Sequence, residues 1–173
     1  MKMSKVKIVL DADVLIHFSE GECLGLLPTI FEECDYVVLD YVYEEVLRKS
    51  VRDQVQKLMG WFGNLKLEPF APTGEMMRDY ARLLVTRGKG ESACLVYCLH
   101  NHDVIGSSNL KDIKDFCEEH GIAYLTTFDF LYYALQRGKM TEAEVAVFIE
   151  NVKKKGSKLP DIDIRHHVPH TQM

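Results

Sequence analysis

Acidic residues set just beyond apolar runs are the side chains of this chain best suited to chemistry. Asp11 ends the run Val6-Lys7-Ile8-Val9-Leu10, and Asp13 follows two residues later. A short apolar run of that kind reads as a buried strand, and in open α/β sheets ligand sites gather beyond the carboxyl ends of strands. Two carboxylates so close repel each other and invite a divalent cation. Further acids follow other elements. Glu44 and Glu45 lie in Tyr43-Glu44-Glu45-Val46-Leu47, shortly after a second apolar run, and Glu91 opens a helical segment in Gly88-Lys89-Gly90-Glu91-Ser92-Ala93. In a parallel sheet, strand ends and the helix starts after them share one edge, so acids remote in sequence can converge there. Each also has a simpler role: Asp11 as a helix cap, Glu91 as a first-turn glutamate favoured by the helix dipole, Glu44 and Glu45 on a solvated face.

The elements that must position these acids alternate in type. Strands are expected at 6–10, 36–39, 65–67, 103–107 and 122–125. Helices are expected at 23–34, at 41–49 behind Asp40, at 51–62, at 75–87 between a Thr73 cap and Gly88, and at 91–100. Others run from Asn109 to Gly121 and from Thr126 or Thr127 to Arg137. Thr141-Glu142-Ala143-Glu144 is a capping box for a last helix through about residue 155. This alternation predicts a three-layer α/β/α fold with a central, mostly parallel sheet of about four or five strands. The fold occupies 1–155, and an irregular tail covers 156–173.

The ordered set of acids resembles the PIN domain, a family of metal-dependent ribonucleases. The match lies in Leu10-Asp11-Ala12-Asp13-Val14-Leu15-Ile16, in Tyr43-Glu44-Glu45-Val46-Leu47 and in Gly90-Glu91-Ser92-Ala93, and the resemblance spans roughly 5–140. It implies that Asp11, Glu45 and Glu91 hold Mg²⁺ or Mn²⁺, and that the ion and a carboxylate activate a water for in-line attack on a phosphodiester. It also implies an RNA substrate and, for the toxin-type members, an antitoxin partner, with a homodimer as a further option. The departure comes where the family places its next Asp. Here the chain reads Ile105-Gly106-Ser107-Ser108-Asn109-Leu110-Lys111-Asp112. Asp112 either supplies the missing charge or pairs with an Asn109 cap, and Asp129 in Thr126-Thr127-Phe128-Asp129 has the same ambiguity. Ser107, Ser108, Asn109 and Lys111 could meet a phosphate through hydroxyls and a helix N-terminus. Two other readings stand beside the nuclease. One is a PIN-like RNA- or protein-binding module that has lost catalysis. The other is a phosphatase, because Asp11-Ala12-Asp13-Val14-Leu15 also looks like the first motif of haloacid-dehalogenase-type enzymes, with Asp11 as nucleophile.

The bulk properties bound the rest. With 21 basic and 26 acidic residues the net charge is −5, which disfavours bulk attraction to nucleic acid or anionic lipid without excluding a local basic groove. Basic residues concentrate at Arg48, Lys49, Arg52, Lys57, Arg78, Arg82, Arg87 and Lys89, as solvated helix faces or a phosphate-tracking patch. Tyr41, Tyr43, Tyr132 and Tyr133 could stack on bases, although the last two look like core or interface. No segment is apolar enough to span a bilayer, and the expected location is the cytoplasm. The five cysteines form no dense framework and read as reduced thiols. Cys94 and Cys98 share a helix face, as half a metal site or as two small buried residues. His166, His167 and His170, with Asp161 and Asp163, either bind a metal or belong to a mobile polar tail.

Overall fold

The structure is a computed structural model that describes residues 4–173, except for the side chain of Glu45. Five strands form one sheet in the order β3-β2-β1-β4-β5, with every pairing parallel. They are β1 (Lys7–Leu10), β2 (Asp35–Leu39), β3 (Leu65–Glu68), β4 (Val104–Gly106) and β5 (Tyr124–Leu125). Parallel strands covered on both faces need unbroken apolar runs rather than alternation. The central strands meet that need: Ile8, Val9, Leu10, Tyr36, Val37, Val38 and Leu39 are all fully buried.

The helices are α1 (Ala12–Glu20), α2 (Leu27–Ile30), α3 (Lys49–Trp61), α4 (Gly74–Leu83), α5 (Lys89–Asn101), α6 (Leu110–His120), α7 (Thr127–Gln136) and α8 (Glu142–Lys154). They form two groups around the sheet. Helix α1 packs with α3, α7 and α8, while α5 packs with α4 and α6. A T-shaped and tilted cluster of Phe18, Phe31, Phe130, Tyr133 and Phe148 ties α1, α7 and α8 together.

Several local expectations need correction. Residues 23–34 do not form one helix. Pro28 sits at the start of α2, and a 3₁₀ turn (Leu24–Leu26) precedes it. The segment after Asp40 is a π-helical turn (Val42–Val46), broken from α3 where Leu47 and Arg48 turn extended. Gly88 does not end α4, which stops at Leu83. It is the extended residue that starts α5. Thr126 and Thr141 do close complete capping boxes with Asp129 and Glu144. Cys94 and Cys98 are fully buried helix residues, as the simpler account of them holds.

The tail is irregular in form, with a single 3₁₀ turn (Ile164–His166), but it is not a free appendage. Thr171 exchanges two hydrogen bonds with the backbone of Tyr124 in the edge strand β5. Tyr133 donates from its hydroxyl to the Thr171 carbonyl and accepts from the Met173 N–H. An edge strand presents unpaired backbone groups that need cover, and the tail supplies it. Among the described residues, no helix is long and apolar enough to cross a membrane.

Candidate functional site

The chain runs outward from β1 to β2 and β3, then returns to place β4 on the other side of β1. The junction of β1 and β4 is therefore the point where strand order reverses, which is where crevices open in such sheets. Asp11 follows β1 there, and its N–H donates to the Gly106 carbonyl at the end of β4 (2.8 Å). A cleft of about 600 Å³ opens beside it, lined by Asp11, Asp13, Glu91 and Asp112, with Lys89 and Asn109 at hand.

Each acid is held by its own element. Asp11 caps α1, accepting from the Ala12 N–H through Oδ1 (2.8 Å), and its other oxygen accepts from the Ser107 hydroxyl (3.3 Å). Asp11 thus both caps α1 and lines the cleft. Asp13 accepts from the Val14 N–H (2.7 Å), the Ser108 N–H (2.9 Å) and the Ser107 hydroxyl (3.4 Å). Glu91 is buried in the first turn of α5, and its Oε1 is buried without a hydrogen-bond partner. Gly90 lets the start of α5 pack closely on the turn at 42–46, because a Cβ there would lie 3.0 Å from Val46 Cγ2, and it would stand 3.9 Å from Asp11 Oδ1. Asp112 accepts from the Asn109 side-chain amide (2.6 Å), while its backbone carbonyl accepts from Arg87 Nε (2.8 Å). Asn109 occupies the cap position of α6 without making a side-chain cap bond, so the expected cap is replaced by a direct Asn109–Asp112 contact.

The electrostatics follow from the crowding. Burial, then the charges of Asp11, Asp112 and Asp13, raise the Glu91 pKa to about 7, against a weaker opposing pull from Arg87. Asp11 and Asp13 are both raised, chiefly by burial and in Asp13 also by the charge of Asp11. Burial and mutual repulsion therefore both oppose ionisation of these carboxylates, and a nearby positive charge would relieve both.

The other expected residues fall differently. The Glu45 side chain lies outside the described residues, although its neighbour Val46 lines the cleft. Ser107 is fully buried, and its hydroxyl donates to Asp11 and Asp13. Ser108 spends its hydroxyl on Thr127, donating to Oγ1 (2.6 Å) and accepting from the backbone N–H (2.8 Å). Both serines therefore donate to the acids of the cleft, Ser107 through its hydroxyl and Ser108 through its backbone N–H. Asn109 remains at the lip of the cleft, and Lys111 is exposed outside its lining. Of the basic residues, Lys49 and Arg82 pair with Asp53 and Asp79 on the surface, and Lys89 reaches the cleft. A larger hollow of about 680 Å³ lies between the end of α1 and α8. Its walls are mostly apolar and bring no cluster of acids together.

A second polar group was only half visible in the sequence. His167 and His170 converge not on the tail acids but on Asp129, with donor atoms all within 4.8 Å of one another. This group, with Asp129 buried, His167 half-buried and His170 exposed, could hold a metal ion. Asp163 pairs instead with Arg165 and His166. The signal available was His-Val-Pro-His together with an Asp in a capping pattern, but nothing local linked them. No family model matches the chain, and no curated protein is significantly similar to it.

Proposed function

We propose that the chain is a Mg²⁺- or Mn²⁺-dependent endoribonuclease of PIN type. The observation that carries this reading is Glu91 Oε1, a buried carboxylate oxygen with no partner in a cleft it shares with Asp11, Asp13 and Asp112. Leaving such an oxygen unpaired is costly unless a ligand completes it. All-oxygen donors suit Mg²⁺ and Mn²⁺ and suit softer metals poorly. The resemblance expects an acid after β4, and Ser107 stands there. Asp13 supplies a carboxylate at the same place from α1, hydrogen-bonded to Ser107 and Ser108. The acid set in this reading is therefore Asp11, Asp13 and Glu91, with Glu45 from the resemblance and Asp112 at the rim. When bound, the ion supplies Lewis acidity and charge stabilisation for phosphodiester hydrolysis. The protein's own contribution is to fix the acids on the sheet edge. Lys89 beside the cleft gives an anionic backbone a cationic contact in an otherwise acidic protein. For a toxin-type enzyme, an antitoxin protein would neutralise this cleft.

The test is cleavage of labelled single-stranded RNA as Mg²⁺ or Mn²⁺ is titrated. Metal-assisted stabilisation is worth several kcal/mol, so Asp11→Asn or Glu91→Gln is expected to slow cleavage by about 100-fold or more. Undiminished cleavage in the double variant rejects the assignment. Metal-independent RNA binding without turnover favours the binding-module reading, for which the buried Ser107 in place of an acid is the specific support.

A further inference from the structure

We propose that Asp129, His167 and His170 form a binding site for a single transition-metal ion of the Zn²⁺ class, which clamps the C-terminal tail onto the start of α7. The two histidines come from one tail segment and Asp129 from the start of α7, 38 and 41 residues away in the two pairings. Asp129 is fully buried, the His167 side chain is 7 % exposed and the His170 side chain 28 % exposed, so the group runs from the interior to the surface with the carboxylate at its inner end. His167 Nε2 lies 2.6 Å from Asp129 Oδ1, and His170 Nδ1 lies 3.1 and 2.8 Å from the two carboxylate oxygens. Oδ1 also receives the His170 backbone N–H (3.2 Å), and Oδ2 the Thr126 N–H (2.8 Å). Three donors thus crowd Oδ1, which has two lone pairs. A cation between the imidazole nitrogens and the carboxylate relieves that crowding and leaves the two backbone N–H groups to orient the ligand.

The donor set is two imidazole nitrogens and one carboxylate, which suits Zn²⁺ and its neighbours far better than Mg²⁺. Three protein ligands leave a fourth position for water. A cavity of about 340 Å³ lies alongside, lined by His167 and His170 and reaching Asp13 and Asn109 at the acidic cleft. Tail residues Lys158, Leu159 and Pro160 also line it, so the clamp would hold the tail beside the cleft mouth. The chemistry of this site differs from that of the acidic cleft, and the proposal stands whether or not the ribonuclease reading does.

The full chain, freed of metal with a chelator, would be titrated with Co²⁺ and followed by its visible ligand-field absorption, then with Zn²⁺ as competitor. One equivalent giving a four-coordinate spectrum is expected, displaced by Zn²⁺ and insensitive to excess Mg²⁺. Loss of an outer partner of a metal ligand costs about 10- to 100-fold in affinity, so removal of a ligand in His170→Gln is expected to cost at least about 100-fold. Glu91→Gln should leave the spectrum unchanged. A Co²⁺ spectrum untouched by His170→Gln, or abolished by Glu91→Gln, overturns the proposal. Should the variant fold poorly, native mass spectrometry of the wild-type chain after Zn²⁺ loading decides. One retained zinc with tail residues newly protected from protease supports the clamp, whereas no retained zinc leaves only hydrogen bonds between imidazoles and carboxylate and refutes it.

Discussion

Glu91 concentrates the physics of the cleft in one side chain. Its carboxyl ionises near 4.5 when unfolded and at about 7 when folded, because burial and three neighbouring acids oppose the charge. Between those values the native state keeps a proton that the unfolded chain has lost, so stability without metal falls as pH rises from about 4.5 to about 7. At about 1.4 kcal/mol per pKa unit, the fall attributable to Glu91 is roughly 2–3 kcal/mol. Thermal melting across that window should show the decline, and Glu91→Gln should flatten it. Mg²⁺ or Mn²⁺ should restore stability above pH 7, since cation binding competes with protons for the same oxygens. A metal-free protein most stable at pH 8 would contradict this account. Gly90, beside Glu91, packs against Val46 and Val42. Gly90→Ala gains helix propensity worth about 1 kcal/mol, but its Cβ presses on Val46 at 3.0 Å and nears Asp11 at 3.9 Å. Overall stability should change by less than about 1 kcal/mol, while the Mg²⁺ affinity read by calorimetry weakens.

The end of helix α1 separates two reasons for using glycine. Gly21 has an ordinary right-handed conformation, with φ −73°, and it is Glu22 that takes the left-handed one, at φ 60°. Gly21 is there for space, because a Cβ would overlap the ring of the fully buried Phe148 on α8. Adjacent substitutions should therefore have opposite signs. Gly21→Ala forces apart the α1–α8 contact and should lose about 1–3 kcal/mol in chemical denaturation. Glu22→Gly relieves a left-handed side chain and should gain about 1 kcal/mol, less a small loss from its exposed pairing with Lys155. Helix α7 adds a third case. Its cap, Thr126, accepts from the Asp129 N–H (3.2 Å), and Thr126→Ala should cost about 1 kcal/mol.

At the scale of the whole molecule, one continuous core encloses the sheet, and the thiols report on it. Cys34, Cys94, Cys98 and Cys117 are buried, Cys23 is half-buried, and burial raises the pKa of all five. A thiolate is the reactive form, so alkylation of the native protein, read by mass spectrometry, should modify Cys23 first. The other four should react only as the domain opens globally, with a single rate. Early labelling of Cys117 would show that α6 detaches independently of the rest. The tail belongs to the same unit, since it covers β5 and closes over Asp129.

Much of this protein is written locally. Apolar runs specified the central strands β1, β2 and β4, since strands buried on both faces must be drawn from largely continuous hydrophobic sequence. The Thr-x-x-acid boxes specified the starts of α7 and α8, because a cap is satisfied within one turn of helix. Asp11, Glu91 and Asp112 were legible as edge residues because Asp11 directly follows β1 and the other two lie in the first turns of α5 and α6. Only the tertiary structure brought Asp13 to Ser107, turned both serines inward, and joined His167 and His170 to Asp129. Those contacts depend on which strand lies beside which and where the tail returns. Neither is encoded in any short window, because both are settled by burial summed over the whole chain.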